Sequence, residues 1–98
     1  MRYNVAIKSL ANNDLREIHE YLSDFGEITL KKFKESFEKY IDRVSSMPYM
    51  FGEYEYIPNF RKAKLAYEYL AVYRVDERRK EVNIYRILHA KINIVDLI

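Results

Sequence analysis

"RKAKLAYEYLAVYRVDERRKEVNIYRILHA", residues 61–90, decides the fold. Its first half is apolar and β-favouring, and it divides near Tyr67 into two strands. "DERRK" is polar enough to be a hairpin turn, and "EVNIYRILHA" reads as the last strand. Strict alternation puts Val82, Ile84 and Leu88 on one side of that strand and Tyr85 and Ile87 on the other. Apolar residues on both sides are expected of a central strand covered on both faces.

Upstream, "YMFGEYEYIPNF" is aromatic and turn-rich, punctuated by Pro48, Gly52 and Pro58. Before it, Phe33, Phe37, Tyr40, Ile41, Val44 and Met47 repeat with helical spacing, and Pro48 ends that helix. An earlier helix carries Leu15, Ile18, Leu22 and Phe25 on one stripe, with Asn12 or Asn13 as its cap and Gly26 as its stop. The two make an antiparallel hairpin. His19 borders the first stripe and reads as a boundary residue. At the start, "RYNVAIK" alternates as a half-buried strand, with Tyr3, Val5 and Ile7 on one side. The expectation is an α+β domain over residues 1–98: an N-terminal strand, a helical hairpin, and a three-stranded antiparallel meander completing one twisted four-stranded sheet.

Composition limits the chemistry. The chain has 98 residues, 49% hydrophobic and 33% charged, an ordinary globular balance for one domain with a modest core. Without cysteine there is no disulfide or thiolate chemistry, and no metal-ligand spacing is visible, so no metal or other cofactor is expected. No stretch resembles a signal peptide or a membrane span, which implies a cytoplasmic protein with no membrane partner. The net charge of +2 is unevenly spread: residues 12–60 carry ten acidic and six basic groups, and residues 61–91 carry nine basic and four acidic. That asymmetry points to an anionic partner for the second half.

The candidate set is basic: Arg61, Lys62, Lys64, Arg74, Arg86, His89 and Lys91. Lys62 and Lys64 share a strand face. An arginine inside a central strand cannot be buried unpaired, so Arg86 meets an internal acid or opens onto a groove. The set could grip phosphate, with tyrosines stacking on bases. It could instead cleave RNA without a metal, with His89 moving the proton and cations stabilising the phosphate. It could also be solvated strand ends.

"SLANNDLREIHEYL", "KKFKESFEKYIDRVSSMPYMFGEYE", "YLAVYRVD" and "VNIYRILHAKI" together resemble the RelE/ParE superfamily of toxins, the plasmid-stabilisation proteins. The resemblance implies a growth-inhibiting toxin of a type II toxin–antitoxin pair, silenced by a cognate antitoxin. ParE-like members poison DNA gyrase and block replication; RelE-like members cut mRNA on the ribosome. In RelE-like members an arginine follows the tyrosine that opens the third strand, and here Leu70 follows Tyr69. Arg61, Lys62 and Lys64 could stand for the lysines of that active site, while its late residues map only loosely onto Lys91 and the region of Asp96. Tyr73, Arg74, Leu88 and His89 fit the ParE-like pattern, although the basic pair expected after the histidine is reduced to Lys91 and Ile92. The resemblance therefore favours a ParE-like gyrase inhibitor without catalysis. The alternatives are a RelE-like endoribonuclease using Arg61, Lys62, Lys64, Arg74, Arg86 and His89, and an inactive member that only binds antitoxin. The apolar tail, with Ile92, Ile94, Val95 and Leu97, is the expected antitoxin contact.

Overall fold

The structure, a computed structural model, describes residues 2–91. Strand β1 (Asn4–Ile7) leads into helices α1 (Ser9–Ser23) and α2 (Glu27–Ser46). After a long connection come β2 (Arg61–Lys64), a 3-10 turn over Ala66–Glu68, β3 (Tyr69–Asp76) and β4 (Glu81–His89). The sheet order is β1-β4-β3-β2. β2, β3 and β4 form the expected antiparallel meander, and β1 lies parallel to β4, from Asn4 opposite Glu81 to Ile7 opposite Ile84. A parallel partner needs a long crossover. The two helices and the meander supply it, and β4 becomes a central strand.

The helices bury one face against the sheet. Ala11, Ile18 and Leu22 of α1 and Phe33, Tyr40 and Val44 of α2 pack with Ala71, Tyr73, Val82, Ile84 and Ile87. Two members of the expected stripes fall outside this core: Phe25 is 60% and Met47 56% exposed. Both lie just past a helix end, where the 3.6-residue period no longer carries side chains back to the sheet. α1 also begins three residues before Asn12, and no side chain caps it. Asn12 instead donates its amide to the Ile7 carbonyl, at 3.1 Å. Gly26 precedes α2 at φ 104, a conformation an L side chain rarely adopts.

A bulge corrects the reading of β4. Val72 pairs with Arg86 but Tyr73 pairs with Ile84, so Tyr85 is an extra residue. Alternation changes phase there. Val82, Ile84 and Ile87 face the helices, whereas Leu88 packs on the opposite side with Val72 and Tyr54. The expected grouping of Leu88 with Val82 and Ile84 therefore fails. Leu88, Val72 and Tyr54 form a second, smaller core that Ile57 and Phe60 of the connection help to cover.

Two buried tyrosines make a contrasting pair. Tyr73 donates its hydroxyl to the Pro48 carbonyl at 2.7 Å, tying the connection to the sheet. The Tyr40 hydroxyl, beside it in the core, has no partner among the described residues. Burial drives the pKa of both phenols upward. Tyr40→Phe should stabilise the fold by about 1 kcal/mol because it removes an unpaired buried polar group, and Tyr73→Phe should cost about 1 kcal/mol. Urea unfolding of the two variants checks the opposite signs.

Candidate partner-binding surfaces

The register sorts the candidate cations by face. Lys62 and Lys64 stand opposite Val72 and Leu70, on the side of the sheet away from the helices. Arg74, opposite Asn83, shares that side. Lys62 pairs with Glu55 at 3.2 Å and lies 5.5 Å from the centre of the Tyr54 ring. Lys64 is exposed. Leu70 sits between Lys64 and Leu88 in the same cross-strand row.

Arg61 and Arg74 meet elsewhere, lining one cleft with Tyr49, Glu53, Asn59 and Phe60. The Arg61 guanidinium lies 4.9 Å from the Tyr49 ring centre and donates to the Phe51 carbonyl at 2.7 Å. That of Arg74 lies 5.5 Å from the Phe60 ring centre.

Arg86 faces a third environment. Beyond Ile84 the β1 side of β4 has no strand partner among the described residues. Asp14 of α1 takes that place: its carboxylate accepts the Ile87 backbone N–H at 2.9 Å. The same carboxylate accepts Nε and Nη2 of Arg86 at 2.8 and 3.0 Å. The Arg86 and Asp14 side chains are only 18% and 9% exposed. Bonding to Asp14 holds the Arg86 pKa above its ordinary value, against the opposing effect of burial. Of the two fates expected for Arg86, the structure has the internal acid.

His89 pairs with Tyr69 in register, their rings 5.3 Å apart and edge to face. Tyr69 in turn packs against Phe33 of α2, so His89 belongs to the helix side of the sheet. Its Nδ1 accepts the Lys91 backbone N–H at 3.3 Å. Arg61 and Arg74 thus line one cleft. Arg86 stands in the row of Val72 and Lys62, on the face of Lys62, Lys64 and Arg74, with its guanidinium turned to Asp14 of α1, and His89 lies on the helix side. Ile92, Ile94, Val95 and Leu97 lie outside the described residues. Among the described residues no group of three or more His, Cys, Asp or Glu could hold a metal ion, and no helix is long and apolar enough to cross a membrane.

Residues 5–94 match the family described as the ParE toxin of the type II toxin–antitoxin system parDE. The chain belongs to the ParE toxin family. No curated protein matches it. Among solved structures, a chain of the chromosomal ParDE system from P. aeruginosa is similar, with 20% identity and a TM-score of 0.74 over 92% of this toxin and 98% of that chain. The free E. coli toxin RelE, in a doubly substituted form, gives 21% identity and a TM-score of 0.68 over 99% and 93% of the two chains. The intact E. coli RelBE toxin–antitoxin complex gives 20% and 0.67 over 92% and 99%. ParDE and RelBE structures share this fold, so the likeness does not divide the two branches.

Two structural residues of the toxin escaped sequence reasoning. Asp14 looks like a helix-start acid. Glu77 sits in a hairpin turn, yet it accepts the hydroxyls of Tyr3, at 2.6 Å, and Tyr49, and pairs with Lys80. The knot ties the first strand, the connection and the β3–β4 hairpin together. These bonds, that of Lys80 first, lower the Glu77 pKa from 4.5 to about 2. A depressed carboxylate stabilises the fold fully above its unfolded pKa and loses that contribution as pH falls through the folded one. The Tm advantage of the natural toxin over Glu77→Gln should therefore hold above pH 4.5 and shrink to nothing near pH 2; thermal melts across that range check it.

Proposed function

We propose that this toxin acts in the cytoplasm without catalysis of its own, by binding DNA gyrase and blocking replication, and that a cognate antitoxin neutralises it. The supporting observation is the division of the candidate groups between faces. Metal-independent RNA cleavage needs a proton-transferring group and cations around one phosphate. His89 lies on the helix side with Tyr69, whereas Lys62 and Lys64 lie on the other side. Leu70 occupies the position where the RelE-like pattern has arginine, and it stands in a row with Lys64 and Leu88. Arg86, bound to Asp14, is committed to the fold. What remains is a surface suited to binding, with Arg61, Lys62, Lys64 and Arg74 as the target contacts. Ile92, Ile94, Val95 and Leu97 are the proposed antitoxin contacts.

The second reading, ribosome-dependent mRNA cleavage, draws on Lys62, Lys64, Arg74 and, by register, Arg86 sharing the face away from the helices. Purified toxin added to gyrase and relaxed plasmid decides between them. Supercoiling should fall and gyrase-linked breaks should accumulate. Unimpaired supercoiling at large toxin excess, with codon-spaced cuts on translating ribosomes, would replace this reading with the second. If expression without antitoxin leaves growth unchanged, the chain only binds its antitoxin.

A further inference from the structure

We propose that the cleft between the 49–60 connection and the start of β2 receives the carboxylate side chain of an acidic residue on a protein partner. This goes beyond the gyrase reading and holds whichever protein supplies the acid. Arg61 and Arg74 both line the cleft, and neither is ion-paired among the described residues. Each guanidinium is seated beside an aromatic ring. The bond from Arg61 Nη1 to the Phe51 carbonyl fixes that guanidinium before any ligand arrives and leaves its other N–H groups to donate. A planar guanidinium fork matches a carboxylate with two parallel bonds.

Three observations set the class of ligand. The cleft holds about 250 Å³, room for a side chain rather than a run of nucleotides. Glu53 shares the lining, so two cations and one anion leave a single net positive charge, suited to a singly charged group. Around Arg74 the neighbouring surface carries Asp76 and Glu77, while Lys62 is engaged by Glu55. A nucleic-acid strand needs a track of several unpaired cations. Here it would meet carboxylates on both sides of the arginine pair. An isolated acid meets no such repulsion, and Tyr49 and Phe60 offer apolar cover to its neighbours.

Nitrogen-15-labelled full-length toxin is titrated with N-acetyl-aspartyl-phenylalanine amide, its asparaginyl counterpart, and thymidylyl-thymidine, a phosphodiester of the same charge. The aspartyl peptide should give saturable shifts of the Arg61 and Arg74 Nε–H signals and the Phe60 amide, with a Kd of about 1 mM. Arg74→Ala, at an exposed position, should weaken that binding about tenfold while the rest of the spectrum stays in place, and Arg74→Lys should restore only part of it. Equal shifts from the asparaginyl peptide would overturn the carboxylate receptor. Tighter binding of thymidylyl-thymidine would overturn it in favour of nucleic acid. Unmoved signals with all three probes would overturn it outright.

Discussion

Asp14→Ala is expected to cost about 3–5 kcal/mol, because it leaves the Arg86 charge buried and unpaired. It also leaves the Ile87 N–H without its acceptor at the end of β4. Arg86→Ala should cost somewhat less, since the Asp14 carboxylate keeps that backbone bond. Replacing both residues with apolar side chains of similar volume should recover much of the loss, because the desolvation of two charges is then no longer needed. Denaturant unfolding of the two single variants and the double variant reads all three outcomes. A marginal effect of Asp14→Ala would mean that the pair is solvated and contributes little. The result bears directly on function. Loss of toxicity in Arg86→Ala would report a weakened fold, so target contact is better probed at Arg74, which is exposed.

Ile84→Ala should rank next, at about 4 kcal/mol. Ile84 is 0% exposed where β4 is flanked by β1 and β3 and covered by the helices. Surroundings fixed on every side collapse little into a cavity, which places the cost high in the usual range for such truncations. Leu88→Ala, four residues further along the same strand, should cost about 2 kcal/mol, because a connection covers its smaller cluster and can settle inward. Comparing unfolding midpoints at unchanged m-value tests the ranking. Equal costs would show the second core to be as rigid as the first.

The element order was legible because period-2 and period-3.6 patterns were strong and Pro48 and Gly26 marked the breaks. The reading went wrong where geometry departs from period. Phe25 and Met47 continue a helical stripe on paper, but the helices end before them. The bulge at Tyr85 carries no glycine or proline to announce it, so Leu88 was assigned to the wrong companions. Composition showed that Arg86 required an acid or a groove, but 72 residues separate it from Asp14, and no local pattern spans that distance. Asp14 serves as the acid because α1 crosses the part of β4 that the four-residue β1 leaves unpaired. The candidate cations were read from the sequence as a single set. Their division into an arginine cleft, a lysine face and a buried pair depended on strand register, which side-chain type does not encode.

Among the described residues β4, made after β1, β2 and β3, sits inside the sheet, and β1 pairs with it alone. Until Glu81–His89 has been synthesised, β1 lacks its neighbour and the helices lack Val82, Ile84 and Ile87 to pack on. A nascent chain of this growth inhibitor therefore cannot complete its core until late in its translation. Its finished form arises late, after a delay during which a companion protein already in the cell can be waiting.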